Sequence, residues 1–214
     1  MTLLLTLLLF VVPPDRPAPP DPALSDTIAS LYAHQDAAGL VRLHAGAHTA
    51  SDELLYRYRL YPLTLDTRYL DDLPDDSACR TARDYALLAA LWGYRAADAP
   101  PWKLPVYGTR SSRLLERAQA LDPEEPYALL VEGQSLLFRP GIFGGDAEKA
   151  LARFERLRTV LRDRPTPGLS PFEAEVWVWY ALRKLRRPHT DRIRDRLLAQ
   201  DPPPLFRQFL IDPP

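Results

Sequence analysis

The sequence predicts an all-α protein, and three observations support this fold class. Apolar residues recur at intervals of three and four along most of the chain, as they do on one face of an amphipathic helix. No segment alternates apolar and polar residues over the length of a strand. The 23 prolines stand mainly between the periodic segments, where proline ends one helix or begins the next. With 214 residues, 46% of them hydrophobic, the chain can form one domain with a sizeable core.

The N-terminus carries an apolar run from Leu3 to Val12. The run is too short to cross a bilayer, which takes about 20 residues, but its length and position match a secretory signal peptide. We therefore expect residues 1–22 to hold a signal peptide and a proline-rich spacer, and the protein to be exported, periplasmic or secreted. No lysine or arginine precedes the run. The alternative is a misassigned start codon and a protein that stays in the cytoplasm.

An N-terminal helical region is predicted at 23–78. Its first helix begins near Ser25, and a turn at 36–39 leads into a second short helix. A third helix is expected to start at Ser51, a good capping residue, and to stop at Pro62. The rest of this region is less regular and acidic, which is typical of a solvated loop.

A second region, predicted at 79–214 and continuous with the first, contains the longer helices. The longest apolar helix spans about 79–98, and a proline-rich loop separates it from a helix that starts at Ser111. Asp146 is expected to cap a helix after the glycines of the segment 141–146. The remaining helices are predicted at 126–138, 147–161, 171–187 and 190–200, with the closing segment docked on the last of them.

The stretch from Ser111 to Gly133 has the spacing of a helical repeat. The pattern begins with a small residue, Ser111, and a large one four positions later, Leu115. A small residue follows three positions later, Ala118, and a proline five positions beyond it, Pro123. The next repeat then needs an apolar residue and a glycine, which Leu129 and Gly133 supply. Small residues let paired helices approach closely, and large ones fill the opposite groove.

This spacing resembles the tetratricopeptide repeat (TPR), a helical hairpin of about 34 residues. The resemblance covers about 85–162, and its long loops look like those of the periplasmic T-component associated with TRAP-type transporters. It implies a right-handed α-solenoid of degenerate TPR-like helical hairpins. It also implies a non-enzymatic scaffold or adaptor that binds a protein or peptide on its concave face. The alternative is a periplasmic carrier of a small apolar ligand.

The resemblance also indicates which residues line the inner surface, because the first helix of each hairpin faces inward in such repeats. The expected binding residues are Tyr94, Asp98, Tyr127, Gln134 and Phe138, together with Trp177, Tyr180 and Lys184 of the helix after the matched repeats. Aromatic side chains with a polar tip suit a binding groove. The other interpretation is that these rings only pack neighbouring helices together.

The charge and the motifs argue against several other functions. The formal net charge is −1, so composition gives no electrostatic reason to expect nucleic acid or an anionic membrane as a partner. A dense basic stretch from Arg183 to Arg196 is most often a solvated face, although it could bind an acidic partner.

No catalytic motif stands out, and no cofactor is expected. His44, His48 and Asp52 follow one another at intervals of four, which leaves a metal-dependent hydrolase as a second, weaker alternative. The glycines of 141–146 lack the order of a phosphate-binding loop, and Cys79 has no histidine partner in sequence. We therefore expect a protein that is not an enzyme.

Overall fold

The computed structural model describes residues 22–214, with side chains from Thr27 onward. The predicted signal peptide lies outside these described residues. Over residues 22–214 the chain forms ten α-helices and three short 3-10 helices, without a named strand. The predicted all-α class is therefore confirmed for this part of the chain.

The helices have the following bounds: α1 Pro22–Ala33, α2 Ala37–Ala45, α3 Ala50–Thr64, α4 Ala82–Ala97, α5 Leu104–Leu121, α6 Pro126–Phe138, α7 Ala147–Asp163, α8 Pro171–Lys184, α9 Thr190–Leu198 and α10 Pro204–Ile211. The 3-10 helices are Thr67–Leu70, Asp76–Ala78 and Gly141–Phe143. No helix over residues 22–214 is both long and apolar enough to span a membrane.

Side-chain caps explain several helix starts. Thr81 and Asp84 form a capping box at the start of α4. The Thr81 side chain accepts a hydrogen bond from the backbone N–H of Asp84, and the Asp84 side chain accepts one from the backbone N–H of Thr81. Asp146 accepts from the backbone N–H groups of Glu148 and Lys149, as the sequence predicted for α7. Helix α6 has the predicted bounds, with Pro126 in its first turn.

Several predicted helix boundaries are wrong, among them the end of α8, which was predicted at 187 and lies at Lys184. Pro62 does not end α3, which is capped by Thr49 and continues to Thr64 before Leu65 turns left-handed at φ 54°. Half of the predicted proline-rich loop belongs to α5, because Pro105 stands in the first turn, where its missing N–H leaves no helical hydrogen bond unmade. Helix α9 ends at Leu198 rather than at Gln200.

Consecutive helices from α4 to α9 pack as neighbours, and α4 also packs on α6. Packed helices joined by short connections run antiparallel, so α4 and α6 run in the same direction, and α5 and α7 in the opposite one. Helix α1 packs on α2, α3 and α10. The main hydrophobic cluster joins residues from Ile28 to Ala181, and a second one surrounds Trp179 between α8, α9 and α10.

Small residues permit the closest helix crossings. The Ser111 hydroxyl donates to the backbone oxygen of Ala89 at 2.7 Å, which joins α5 to α4. Gly133 in α6 lies against the ring of Phe154 in α7, where a Cβ atom would stand only 2.4 Å from the ring carbon Cε1. Both residues hold the small-residue positions of the predicted repeat.

Candidate functional site

The interior contains a buried ion pair between α3 and α8. The Arg59 guanidinium donates two hydrogen bonds of 2.9 Å to the carboxylate of Glu173 and one of 2.6 Å to the backbone oxygen of Gly168. Its Cζ atom lies 4.2 Å from the centroid of the Tyr32 ring. Burial, partly offset by the Arg59 charge, raises the pKa of Tyr32 to about 12. The side chains of Arg59, Glu173 and Tyr32 and the backbone oxygen of Gly168 all have hydrogen-bond or ring partners inside the protein. We therefore interpret this ion pair as structural.

Three of the predicted site residues meet beside this ion pair. Tyr94 stacks on Tyr58 of α3 with ring centroids 5.8 Å apart, and Tyr127 meets the same ring edge-on at 5.9 Å. The hydroxyl of Tyr58 donates to Gln134 Oε1 at 3.4 Å. Tyr127 is 0% exposed, and its hydroxyl donates to the backbone oxygen of Pro167 at 2.7 Å. Helix α3 therefore covers the inner face that these residues line.

Asp98 lies apart from that cluster. It is exposed and occupies the C-terminal cap position of α4, where its backbone N–H bonds to the carbonyls of Ala96 and Tyr94. Together with burial, its charge raises the pKa of Tyr61. No contact of the Asp98 side chain makes it part of a pocket.

The other four predicted residues form a second group, between α6 and α8. The Phe138 ring centroid lies 6.1 Å from Trp177 and 6.0 Å from Tyr180. The Lys184 ammonium lies 5.0 Å from the Tyr180 ring and donates to the backbone oxygen of Pro214 at 3.3 Å. Phe209 of α10 closes the group over both larger rings.

Within this second group only Phe138 is an exposed aromatic residue, with about half of its surface open. Trp177 is partly buried and stacks on Phe154 at 5.5 Å, and Tyr180 is 1% exposed. Phe138 is thus the point at which this internal aromatic group reaches the surface.

Phe138 belongs to a set of exposed apolar residues that are concentrated in two segments of the chain. Six of the ten large hydrophobic residues exposed in the described part of the chain fall in two short segments, 102–106 and 138–143. We call this set the apolar rim: Trp102, Leu104, Val106, Phe138, Ile142 and Phe143. Ile142 is 88% and Trp102 75% exposed. Apolar side chains grouped in this way mark interaction sites more often than single exposed ones do.

We infer from the helix directions that the two segments of the apolar rim lie toward the same edge. Each follows the C-terminal end of a helix, α4 or α6, and these helices run in the same direction. Arg139, at the end of α6, donates to the hydroxyl of Ser112 in the middle of α5 at 3.5 Å, so the end of α6 contacts the α4–α5 hairpin. Gly144 allows the turn after Phe143 with φ of 89°.

Sequence reasoning missed five of the six rim residues. It treated 99–108 and 139–146 as unusual loops and took the binding residues from the helices alone. The available signal was that Trp102, Ile142 and Phe143 lie in predicted loops, where no apolar helix face is expected to cover them. A large apolar residue in such a loop cannot pack between the two helices of its own hairpin.

The metal site considered at His44, His48 and Asp52 does not assemble. Helix α2 ends at Ala45, so the two histidines do not share a helical face. The His44 ring packs edge-on against Tyr56 and Tyr69, and burial lowers its pKa. Over the residues with described side chains, no group of three histidine, cysteine or acidic residues is placed to hold a metal ion.

Comparison with known proteins identifies a structural neighbour but no family. No protein-family model and no curated protein sequence matches the chain. Among solved structures, it is similar to the HusA haemophore from Porphyromonas gingivalis, with a TM-score of 0.55 and 20% sequence identity. The alignment covers 76% of this chain and 92% of the haemophore chain. At this identity the likeness concerns the fold, and it agrees with the helical class.

Proposed function

We propose that this protein is a non-catalytic carrier of a flat, largely apolar small molecule, which it binds at the apolar rim. The observation that carries the proposal is the concentration of exposed hydrophobic side chains in the two segments 102–106 and 138–143. Because the named activity of the structural neighbour is that of a haemophore, haem is the first ligand to test. Export, as the apolar N-terminus predicts, is part of the same proposal.

The chemistry of the apolar rim suits a planar apolar ligand. Trp102, Phe138 and Phe143 offer ring faces for stacking, and burial of apolar area contributes about 25 cal/mol per Å². Covering about 300 Å² therefore gives about 7 kcal/mol before the cost of association is subtracted. Among the residues with described side chains, Lys103 makes no ion pair and Arg139 donates only to serine hydroxyls, so both can meet acidic groups at the edge of a ligand.

A protein or peptide scaffold is the second candidate and would use the inner face instead. Tyr94, Tyr127 and Gln134 line that face, but Tyr58 of α3 covers them. A peptide could reach them only if α3 moved away, which would also separate Arg59 from Glu173. We therefore favour the carrier.

We also propose that the fold is a right-handed, TPR-like α-solenoid in which 23–78 folds against 79–214 as one domain. The hairpins α4–α5 and α6–α7 support this proposal, together with the close crossings at Ser111 and Gly133. Superposition of an experimental structure on consecutive TPR hairpins would test it.

The carrier proposal is tested by titrating the protein with haemin and following the haem absorption band and tryptophan fluorescence. We expect saturable binding, weakened at least tenfold in Leu104→Ser with Ile142→Ser. Leu121→Ser is a matched control, because Leu104 and Leu121 are the first and last residues of α5 and both are exposed. Absence of saturable binding, or an equal loss in the control, would contradict the proposal. If the rim variants lose a protein partner from the native organism while haemin binding is unchanged, the apolar rim binds a protein and the carrier proposal is wrong.

A further inference from the structure

A cleft separate from the apolar rim lies between the 3-10 helix Asp76–Ala78, α4 and α5. Its volume is about 320 Å³, near the lower end of the range for small-molecule sites. Its lining residues are Asp76, Ser77, Tyr85, Arg113, Leu114 and Arg117. Those on α5 come from its C-terminal half, whereas the apolar rim uses its first turn.

Two arginines of this cleft lack a counter-charge. Arg113 and Arg117 are one turn apart on α5 and both are exposed, and neither has a carboxylate within 4.0 Å among the residues with described side chains. The Arg117 guanidinium carbon lies 5.8 Å from the centroid of the Tyr85 ring. Like charges at this spacing repel each other and destabilise an isolated helix. An anion bound between them would remove that repulsion.

The acidic lining residue is already neutralised by another arginine. Arg110 Nη2 lies 2.9 Å from Asp76 Oδ1 and 3.9 Å from Asp75 Oδ2. Asp75 also accepts the backbone N–H of Ser77 and so fixes the start of this 3-10 helix. Three arginines, Arg110, Arg113 and Arg117, therefore face two carboxylates, and the balance on this side of the cleft is positive.

We propose that this cleft binds a small organic dianion, either a phosphate monoester or a dicarboxylate. Guanidinium groups match both kinds of anion through paired N–H donors. The Ser77 side chain already bonds to Asp75. The Tyr85 hydroxyl has no hydrogen-bond partner among the described residues and is available as a further donor. Leu114 and the Tyr85 ring provide an apolar wall for the body of the ligand. The site does not depend on the carrier function.

The experiment titrates the full chain with phenyl phosphate, phthalate and benzoate at low salt, with binding followed by calorimetry. We expect saturable binding of phenyl phosphate or phthalate, and at least tenfold weaker binding of the monoanion benzoate. The dianion that binds more tightly identifies the ligand class. Arg113→Gln with Arg117→Gln should weaken dianion binding at least tenfold.

Arg192→Gln with Arg196→Gln is a matched control, because these arginines are also one turn apart, exposed and without an ion pair. It removes the same charge from α9 and should change the affinity less than twofold. Failure of both dianions to bind overturns the proposal. An equal loss in the control pair, or benzoate bound as tightly as the dianions, overturns it as well. None of these variants alters the apolar rim, so the haemin titration fails or succeeds independently.

Discussion

Arg59 and Glu173 form a two-point ion pair inside the protein, with Nη1 on Oε1 and Nη2 on Oε2 at 2.9 Å each. Both side chains are almost fully buried. Burial alone would lower the pKa of Arg59, but the charge of Glu173 and the neighbouring tyrosines keep it well above its usual value. Arg59 therefore stays charged, and its two hydrogen bonds to Glu173 hold α3 against α8.

Removing one partner of this pair should destabilise the fold. Arg59→Met or Glu173→Gln leaves the charge of the other residue buried without its counter-charge, which costs about 3–5 kcal/mol of unfolding free energy. Urea denaturation of each variant measures the loss. Arg156→Met, at the exposed pair with Glu124, is the control and should cost at most about 1 kcal/mol. If the variants of the buried pair also lost at most about 1 kcal/mol, the buried pair would not be essential to stability.

Tyr127 should behave as a core residue rather than as part of an open groove. Tyr127→Phe loses the hydrogen bond to the backbone oxygen of Pro167 and should cost about 1 kcal/mol. Tyr127→Ala leaves a cavity and should cost about 3–5 kcal/mol. Thermal unfolding of both variants measures these effects. If Tyr127→Ala unfolds like the wild type, then α3 does not cover the inner face in solution.

Local patterns in the sequence predicted the helices better than the site. The bounds of α6 followed from Pro126 and from the apolar spacing after it, because both signals act within one turn. Pro62 misled the prediction, since the burial of α3 on both sides outweighs the backbone bond that proline removes.

The candidate site depended on contacts that sequence periodicity does not report. The inner-face position of Tyr127 was inferred from the repeat, but its coverage by Tyr58 arises from a helix some 70 residues earlier in sequence. Likewise, Ile142 and Trp102 share an edge only because α4 and α6 run in the same direction. Neither relationship leaves a local pattern in the sequence.

Two glycines of the same helical array should respond to alanine in opposite directions. At Gly133 the new Cβ would lie 2.4 Å from Cε1 of Phe154, a buried ring stacked on Trp177, so we expect a loss of about 1–2 kcal/mol. At Gly108, inside α5, a Cβ meets no atom within 4 Å, and the helix should gain about 0.5–1 kcal/mol. Urea denaturation compares the two. A gain at Gly133 would mean that α6 and α7 are farther apart than described.

Cys79 should be unreactive in the folded protein at neutral pH. Burial raises the pKa of its thiol to about 11, and the carboxylates of Asp84, Asp76 and Asp75 act in the same direction. Since the thiolate is the reactive form, alkylation by iodoacetamide at pH 8 should be about a hundredfold slower than in denaturant, where the thiol has its ordinary pKa. Mass spectrometry of the alkylated protein measures both rates.

The same shift fixes the sign of a pH effect on stability. The folded state holds the thiol proton more tightly than the unfolded state, so the contribution of Cys79 is complete below the ordinary thiol pKa. It is lost as the pH rises from there to about 11. Cys79→Ala should therefore show a shallower loss of stability over this alkaline range than the wild type, measured by urea denaturation at a series of pH values. Equal slopes, together with fast alkylation at pH 8, would place the thiol in water rather than against α4.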